Sequence, residues 1–308
     1  MPSNQNPLGA LPSRFRRTRV LIIGCGDVGL RVARLLPARV RVLALTSTPA
    51  RFADLRAAGI TPLAGDLDEP RALARLAGLA TRLAHLAPPR SEEGGAWGSD
   101  TRTQALLRAL RLRSPPQAVV YASTSGVYGD CQGALVTESR PVQPQTRRAY
   151  RRVDAERRIR HFGGATGVPA SILRIPGIYA PDRAGGTPRE RLLKGTPVLR
   201  TEDDVYTNHI HADDLARAVI AALWRGRPQR AYNASDDTEL KMGDYFDFAA
   251  DLYGLPRPPR VSRDSAREQL PPVQLSFMGE SRRLDNTRLK RELRVKLHYA
   301  TVGEGLSH

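Results

Sequence analysis

Near the start of the chain, the stretch LIIGCGDVGLRVA sets Gly24, Gly26 and Gly29 between a short apolar run and a helical pattern. This G-x-G-x-x-G spacing constrains the fold more than any other feature of the sequence. Gly24 suits a tight turn out of a buried strand. Gly26 leaves the backbone bare for close approach by a phosphate, and Gly29 lets the following helix lie close on the sheet. The motif has weight only when a strand precedes it, a helix follows it and a second strand closes the unit. RVLIIG (19–24), VGLRVARLLP (28–37) and VRVLALT (40–46) meet those three conditions.

The alternation continues. Runs at 60–67, 81–87 and 117–124 read as strands by length and apolar content. The segments 49–59, 69–78 and 100–113 carry helical spacing. Strands alternating with helices of about ten residues specify βαβ units and a parallel sheet covered on both faces. The expected class is therefore α/β, a Rossmann-type doubly wound sheet. A helix opens near Thr146, another apolar run follows at 170–180, and the chain then turns irregular. Helical patterns return at 213–226 and 245–254. The expected organisation is a flexible tail (1–18) and a dinucleotide-binding domain (19–176, with 205–234 returning to it). A small discontinuous substrate-binding domain would come from 177–204 and 235–308.

A pyrophosphate at this loop would meet the backbone of Gly24 and Gly26 and the first helical turn, Asp27, Val28 and Gly29. About 20 residues on, a carboxylate would grip the ribose 2′-hydroxyl of NAD. The chain instead has Thr46, Ser47 and Thr48, with Arg51 shortly after. Hydroxyls beside an arginine suit a 2′-phosphate, so the expected cofactor is NADP, with NAD as the alternative. Asp66 and Leu67 after the third strand fall where the adenine should lie. Leu86, Ala87 and Pro88 after the fourth would line the cofactor's path.

Four later segments carry a more specific likeness: YASTSGVYGD (121–130), LRIPGIYAP (173–181), NHIHADDLARAV (208–219) and the stretch opening YNASDD at Tyr232. In order and spacing they resemble the extended and atypical short-chain dehydrogenase/reductases, also called the NAD-dependent epimerase/dehydratase family. The resemblance implies an NAD(P)-dependent oxidoreductase or epimerase/dehydratase. It implies that Pro176 and Ile178 pass the nicotinamide and that Thr124, with Ser125 beside it, holds the reacting oxygen. In that family a tyrosine and a lysine four residues later complete the site, and no Tyr-x-x-x-Lys occurs here. If Tyr150 takes the tyrosine position, Asp154 takes the lysine position, and a carboxylate there would raise the phenol's pKa. In the preferred register, Glu156 matches the family's glutamate, and Arg148 and Arg152 take the two positions. Arg152 would then hold ribose or phosphate by charge without relaying a proton. Tyr128, Tyr150 and Tyr179 remain as proton-donor candidates. Arg183, Arg189 and Arg191 fall where the family meets substrate, and suit an anion such as a nucleotide sugar or a solvated loop equally.

The chain of 308 residues has a formal charge of +17, and of its 48 basic residues only Lys194, Lys241, Lys290 and Lys296 are not arginine. The arginines are spread along the chain and mixed with acids, which argues for compositional bias over a nucleic-acid surface. An RNA-binding role is therefore the least favoured alternative, behind a non-catalytic NADP(H)-binding regulator. Two cysteines exclude a disulfide framework. The opening residues have no apolar signal core and no run approaches a membrane span, so the expected location is the cytoplasm. His209 and His211 alternate as on a strand but lack further ligands, so no metal is expected. A homodimer is usual for such families.

Overall fold

The computed structural model describes residues 17–90 and 97–307. The expected tail, 1–18, thus lies almost wholly outside the described residues.

Seven parallel strands form the central sheet. They are β1 (Arg19–Ile23), β2 (Arg41–Thr46), β3 (Thr61–Ala64), β4 (Arg82–His85), β5 (Ala118–Thr124), β6 (Ala170–Ile175) and β7 (Ala231–Asn233). Their spatial order is β7-β6-β5-β4-β1-β2-β3, so the winding reverses between β1 and β4. In open α/β sheets a reversal of this kind leaves a crevice beyond the carboxyl ends of the strands. Register brings Ile23 level with both Leu45 and His85, so β1, β2 and β4 end together at that crevice.

Each face of the sheet is covered by helices. On one side α1 (Asp27–Leu35) packs against α5 (Ala212–Arg225), joining Val32 and Leu215 to the inward residues Ile22 and Ala44. On the other, α3 (Thr101–Leu110) and α4 (Arg147–Thr166) bury Leu106, Ile159 and Phe162 against Leu21 and Tyr121. A short α2 (Phe52–Ala57) joins β2 to β3, and α6 (Met242–Tyr253) belongs to a third apolar cluster. That cluster gathers Tyr179, Leu192, Val198, Phe246 and Val302 away from the sheet.

Three elements differ from the sequence reading. The segment 69–78 forms a 3₁₀-helix over Pro70–Leu76. Its buried Leu73 and Leu76 sit three apart, which a 3₁₀ turn places on one line, and both pack in the layer under α3. The 49–59 helix divides into a 3₁₀ turn at Pro49–Arg51 and α2. The run 170–180 breaks at Pro176, which has no N–H for a ladder. Beyond it, Gly177–Tyr179 leaves the sheet and pairs in parallel with His209–His211.

Candidate functional site

The crevice at the carboxyl ends of β1, β2 and β4 is a cleft of about 470 Å³. Its floor is the glycine loop. Gly24 adopts φ +82°, and a Cβ there would stand 2.5 Å from the Ala87 nitrogen, so only glycine fits between β1 and the turn after β4. Gly29 packs on the Cys25 Sγ and Ile22, each 3.2 Å from where a Cβ would stand. A Cβ at Gly26 would meet nothing within 4 Å, so that glycine faces the open cleft.

Helix α1 starts at Asp27 with no side-chain cap on Gly26, and the first loop-to-helix bond is from Leu30 N to Gly26 O at 2.9 Å. Among the described residues the N–H groups of Asp27, Val28 and Gly29 meet no acceptor, and they stand at the positive end of the helix dipole. A carboxylate at this helix end would repel an anion. Arg31 and Arg183 offset it, at 3.0 and 3.3 Å from Asp27. Arg31 also binds Asp182 and Asp213, each at 2.6 Å, tying α1 to the segment after Tyr179 and to the start of α5. Burial works against the Arg31 charge, but the bonds to Asp213, Asp182 and Asp27 outweigh it and raise its pKa.

Of the other residues expected to touch the cofactor, Thr46, Ser47, Arg51, Asp66 and Leu67 line one end of the cleft. Leu86, Ala87, Pro88 and Ile178 line the cleft as well. Arg51 reaches across from the turn after β2 and donates to Cys25 O at 2.8 Å. The Cys25 thiol is pushed up to about 11 by burial, against the pull of Arg51, so it stays neutral. Arg152 and Pro176 are not among the lining residues. Arg102 is, and the sequence reading passed over it. Its guanidinium grips Asp68 at 2.9 and 2.6 Å, a pair 34 positions apart that no local pattern announces.

The other end of the carboxyl edge lies where β5 meets α4. Thr124 caps the 3₁₀ turn Ser125–Tyr128, accepting from Gly126 N at 3.3 Å, and its own hydroxyl donates to no acceptor among the described residues. Ser125 is buried beside it. Arg152 Nη1 donates to Ala122 O at 2.5 Å and to Tyr121 OH at 3.0 Å, so this arginine reaches the end of β5. Asp154 turns instead toward α3, accepting from Asp100 N at 2.8 Å and Arg158 Nε at 2.6 Å.

The three tyrosines considered as proton donors have other surroundings. Tyr128 is buried, donates to Asn233 at 2.8 Å and accepts from Arg174 at 2.9 Å; burial raises its pKa despite Arg174. Tyr179 donates to Thr301 O at 3.2 Å, and burial raises its pKa. Tyr150 is exposed, with its ring 4.8 Å from that of Trp97. Beneath Thr124 lies a buried network in which Arg174 binds Glu156 at 3.1 and 2.8 Å and Ser123 donates to Glu156 at 2.7 Å.

Of the arginines expected near a substrate, Arg183 lines the cleft. Arg189 and Arg191 lie over Tyr253 and Phe246 at 5.7 and 4.4 Å, and the Arg191 Nε and Nη2 are buried without a hydrogen-bond partner among the described residues. His209 and His211 do share a face, both edge-on to the Tyr179 ring. Among the described residues no cluster of three metal-ligating side chains occurs, and no helix is long and apolar enough to cross a membrane.

A seven-stranded, doubly wound parallel sheet with a glycine loop at its switch point defines a Rossmann-type protein. Residues 20–235 match the sequence model of the NAD dependent epimerase/dehydratase family, and the chain belongs to that family. A conserved protein of unknown function from Silicibacter pomeroyi DSS is 31% identical, with a TM-score of 0.78 over 94% of this chain and 96% of that one. UDP-glucuronic acid 4-epimerase from Bacillus cereus, solved with UDP-glucuronic acid and NAD, is 18% identical, with a TM-score of 0.73 over 94% and 96% of the two chains. The dTDP-glucose 4,6-dehydratase DesIV from Streptomyces venezuelae, a double mutant with NAD bound, is 23% identical, with a TM-score of 0.74 over 94% and 95%. No curated protein matches the sequence.

Proposed function

We propose that the cleft holds a nicotinamide dinucleotide, NADP(H) in preference to NAD(H). The chain would then be a cytoplasmic oxidoreductase or epimerase/dehydratase-type enzyme acting on a small anionic substrate such as a nucleotide sugar. The observation that carries this reading is the set of three free N–H groups at the start of α1, opening on a glycine-floored cleft. They fit a pyrophosphate. Thr46, Ser47 and Arg51 at the end of β2 fit a 2′-phosphate, since hydroxyls and a guanidinium donate where a carboxylate would repel. Two neighbours in fold were solved with NAD, and one with UDP-glucuronic acid, which agrees with a dinucleotide here and a sugar-nucleotide partner.

When bound, the nicotinamide supplies hydride acceptor and donor chemistry. The chain's own part is to orient and to exclude water. Ile178 and Pro176 would wall the nicotinamide end. Thr124 would donate its free proton to the substrate oxygen, with Ser125 behind it. Arg152 would hold ribose or phosphate near the end of β5. In this reading α4 supplies cations where the family has a phenol and an amine. Residues 19–176 and 205–234 serve as the cofactor domain, while 177–204 and 235–308 carry the substrate, in a homodimer.

A second reading is a dinucleotide-binding regulator without turnover. It is favoured by Tyr128 and Tyr179, whose hydroxyls are committed to internal acceptors. Parallel titrations with NADPH and NADH test the first reading. Tighter NADPH binding is expected, preference for NADH would overturn the account of β2, and binding of neither would remove the function. Turnover of UDP-glucose or UDP-glucuronic acid, abolished by Thr124→Val, separates enzyme from regulator.

A further inference from the structure

Helix α4 presents Arg148 and Arg152 one turn apart, a spacing that puts both on one face. Arg152 reaches the end of β5, and its Nε is buried with no hydrogen-bond partner among the described residues. Arg148 lies against the Phe277 ring at 5.0 Å and makes no ion pair among the described residues. A third guanidinium, Arg282, arrives from the far end of the chain and donates to Gly129 O at 2.7 Å and Glu280 Oε2 at 2.8 Å.

Glu280 is the carboxylate among these cations. A point beside Gly126, where a side chain would begin, lies 3.6 Å from Thr124 Oγ1 and 3.8 Å from Glu280 Oε2. The segment that delivers Glu280 is held firmly. Ser281 N donates to Asp130 Oδ1 at 2.8 Å, Cys131 N and Gly133 N both donate to Ser281 O, and Arg283–Leu284 pair with Leu135–Val136. Glu280 Oε1 accepts no hydrogen bond among the described residues, and the side chain is 11% exposed. The next carboxylate, Asp100 behind Arg152, is buried and committed to capping α3 and to Thr103. Arg148 and Arg152 thus share one face of α4, and Arg148 feels the charge of Glu280, which pairs with Arg282 beside Thr124.

We propose that this is an anion subsite. Arg148 binds a carboxylate or phosphate that the substrate carries next to its reacting oxygen, Arg152 one turn along adds its charge while holding the cofactor, and Glu280, paired with Arg282, opposes the group by repulsion. The proposal rests on the reading of the neighbouring cleft as a cofactor site and narrows its substrate to acids with the charge near the reacting carbon. A hydroxy acid such as a uronate would place its oxygen on Thr124 and its carboxylate on the arginines. A sugar whose only charges are distant phosphates would leave the arginines unused.

The test compares D-glucuronate with D-glucose, which differ at one carbon, by saturation-transfer NMR on full-length protein with and without NADPH. The wild type should bind glucuronate about tenfold more tightly, the equivalent of about 1.4 kcal/mol. Arg148→Gln should erase that preference. Glu280→Gln should widen it, a gain that a merely structural role for Glu280 would not produce. Arg157→Gln, on the exposed far side of α4, should leave it unchanged. Equal binding of the two sugars, binding of neither, or a preference that survives Arg148→Gln would overturn the subsite. NADPH affinity is read in the same samples. Loss of NADPH binding sinks the cleft reading, whereas intact NADPH binding with no preference sinks the anion subsite alone.

Discussion

The glycine-loop end of the carboxyl edge and the Thr124 end are built on different principles. At the first, the backbone makes the site: a φ of +82° at Gly24, bare N–H groups at Asp27 and Val28, and an absent Cβ at Gly26. At the second, side chains from separate parts of the chain make it. Thr124 comes from β5, Arg148 and Arg152 from α4, and Glu280 and Arg282 from a segment some 150 positions on. A backbone site tolerates almost no change in the residue that shapes it, yet it leaves side chains free to vary. A side-chain site can be re-dressed one residue at a time. In the proposed reading that contrast accounts for a chain whose glycine loop is intact while α4 carries arginines where the family would have a phenol and an amine.

The sharpest way to break the comparison is to substitute two glycines of one loop. Gly24→Ala drives a Cβ to 2.5 Å from Ala87 N at a left-handed φ. The strained backbone alone costs about 1–3 kcal/mol, and the clash adds to it. A large fall in melting temperature and loss of NADPH binding are expected. Gly26→Ala meets nothing within 4 Å and has a negative φ, so thermal stability should hold while NADPH affinity falls at least about tenfold as the methyl fills the phosphate's approach. Equal effects of the two on stability would refute the division between packing glycine and ligand glycine.

Next in size is the buried pair under Thr124. Arg174 and Glu156 are both almost fully buried and hydrogen-bonded in a network with Ser123 and Tyr128. Arg174→Met should cost about 3–5 kcal/mol, because Glu156 keeps a buried charge without its main partner. Adding Glu156→Gln should recover part of that loss in urea unfolding. A loss below about 1 kcal/mol for the single variant would mean that the side-chain end tolerates even its foundations being changed.

These two regions were also unequally legible in sequence. The cleft was readable because its determinants are local: three glycines in six residues, a strand on either side, and hydroxyls at a fixed distance downstream. Arg102, Asp68 and Glu280 were not, since the first two pair across 34 positions and the segment carrying Glu280 is anchored 151 positions away, at Asp130. The 70–76 segment was read as an ordinary helix because spacings of 3.0 and 3.6 residues can hardly be separated over seven positions. The run 170–180, read as one strand, ends at Pro176, and the new partner of Gly177–Tyr179 could not be read before the tertiary fold placed His209–His211 beside it.

Between the two ends sits His85, at the tip of β4 with its ring 5.2 Å from that of Tyr121. Thr103 Oγ1 donates to Asp100, so it accepts from His85 Nε2 at 2.9 Å. Burial, helped by Arg152 and Arg102, lowers the His85 pKa to about 3. The unfolded chain takes up this proton near pH 6.5 and the folded one does not until about 3, so acid favours unfolding between those limits. The contribution is complete above about pH 6.5 and is lost as pH falls through that window. His85→Gln should flatten the acid limb of stability by up to about 1.4 kcal/mol per pH unit between about 6 and 4. An unchanged slope would show that the ring protonates freely and that the centre of the edge is open to water.

The smallest effect tests whether cofactor choice belongs to the backbone end or to the side chains placed on it. Arg51 spans from the turn after β2 to Cys25 O and still has donors to offer a 2′-phosphate. Arg51→Gln should weaken NADPH by about tenfold, the worth of one charge-assisted contact, and leave NADH within about twofold. Ser47→Asp, at an exposed position lining the cleft, should do the reverse by repelling a 2′-phosphate and accepting from a ribose hydroxyl. If both variants shift NADPH and NADH together, the glycine loop alone sets affinity and the hydroxyl–arginine cluster selects nothing. If only NADPH responds to Arg51→Gln, the backbone fixes where a dinucleotide sits, and three side chains at the end of β2 decide which one.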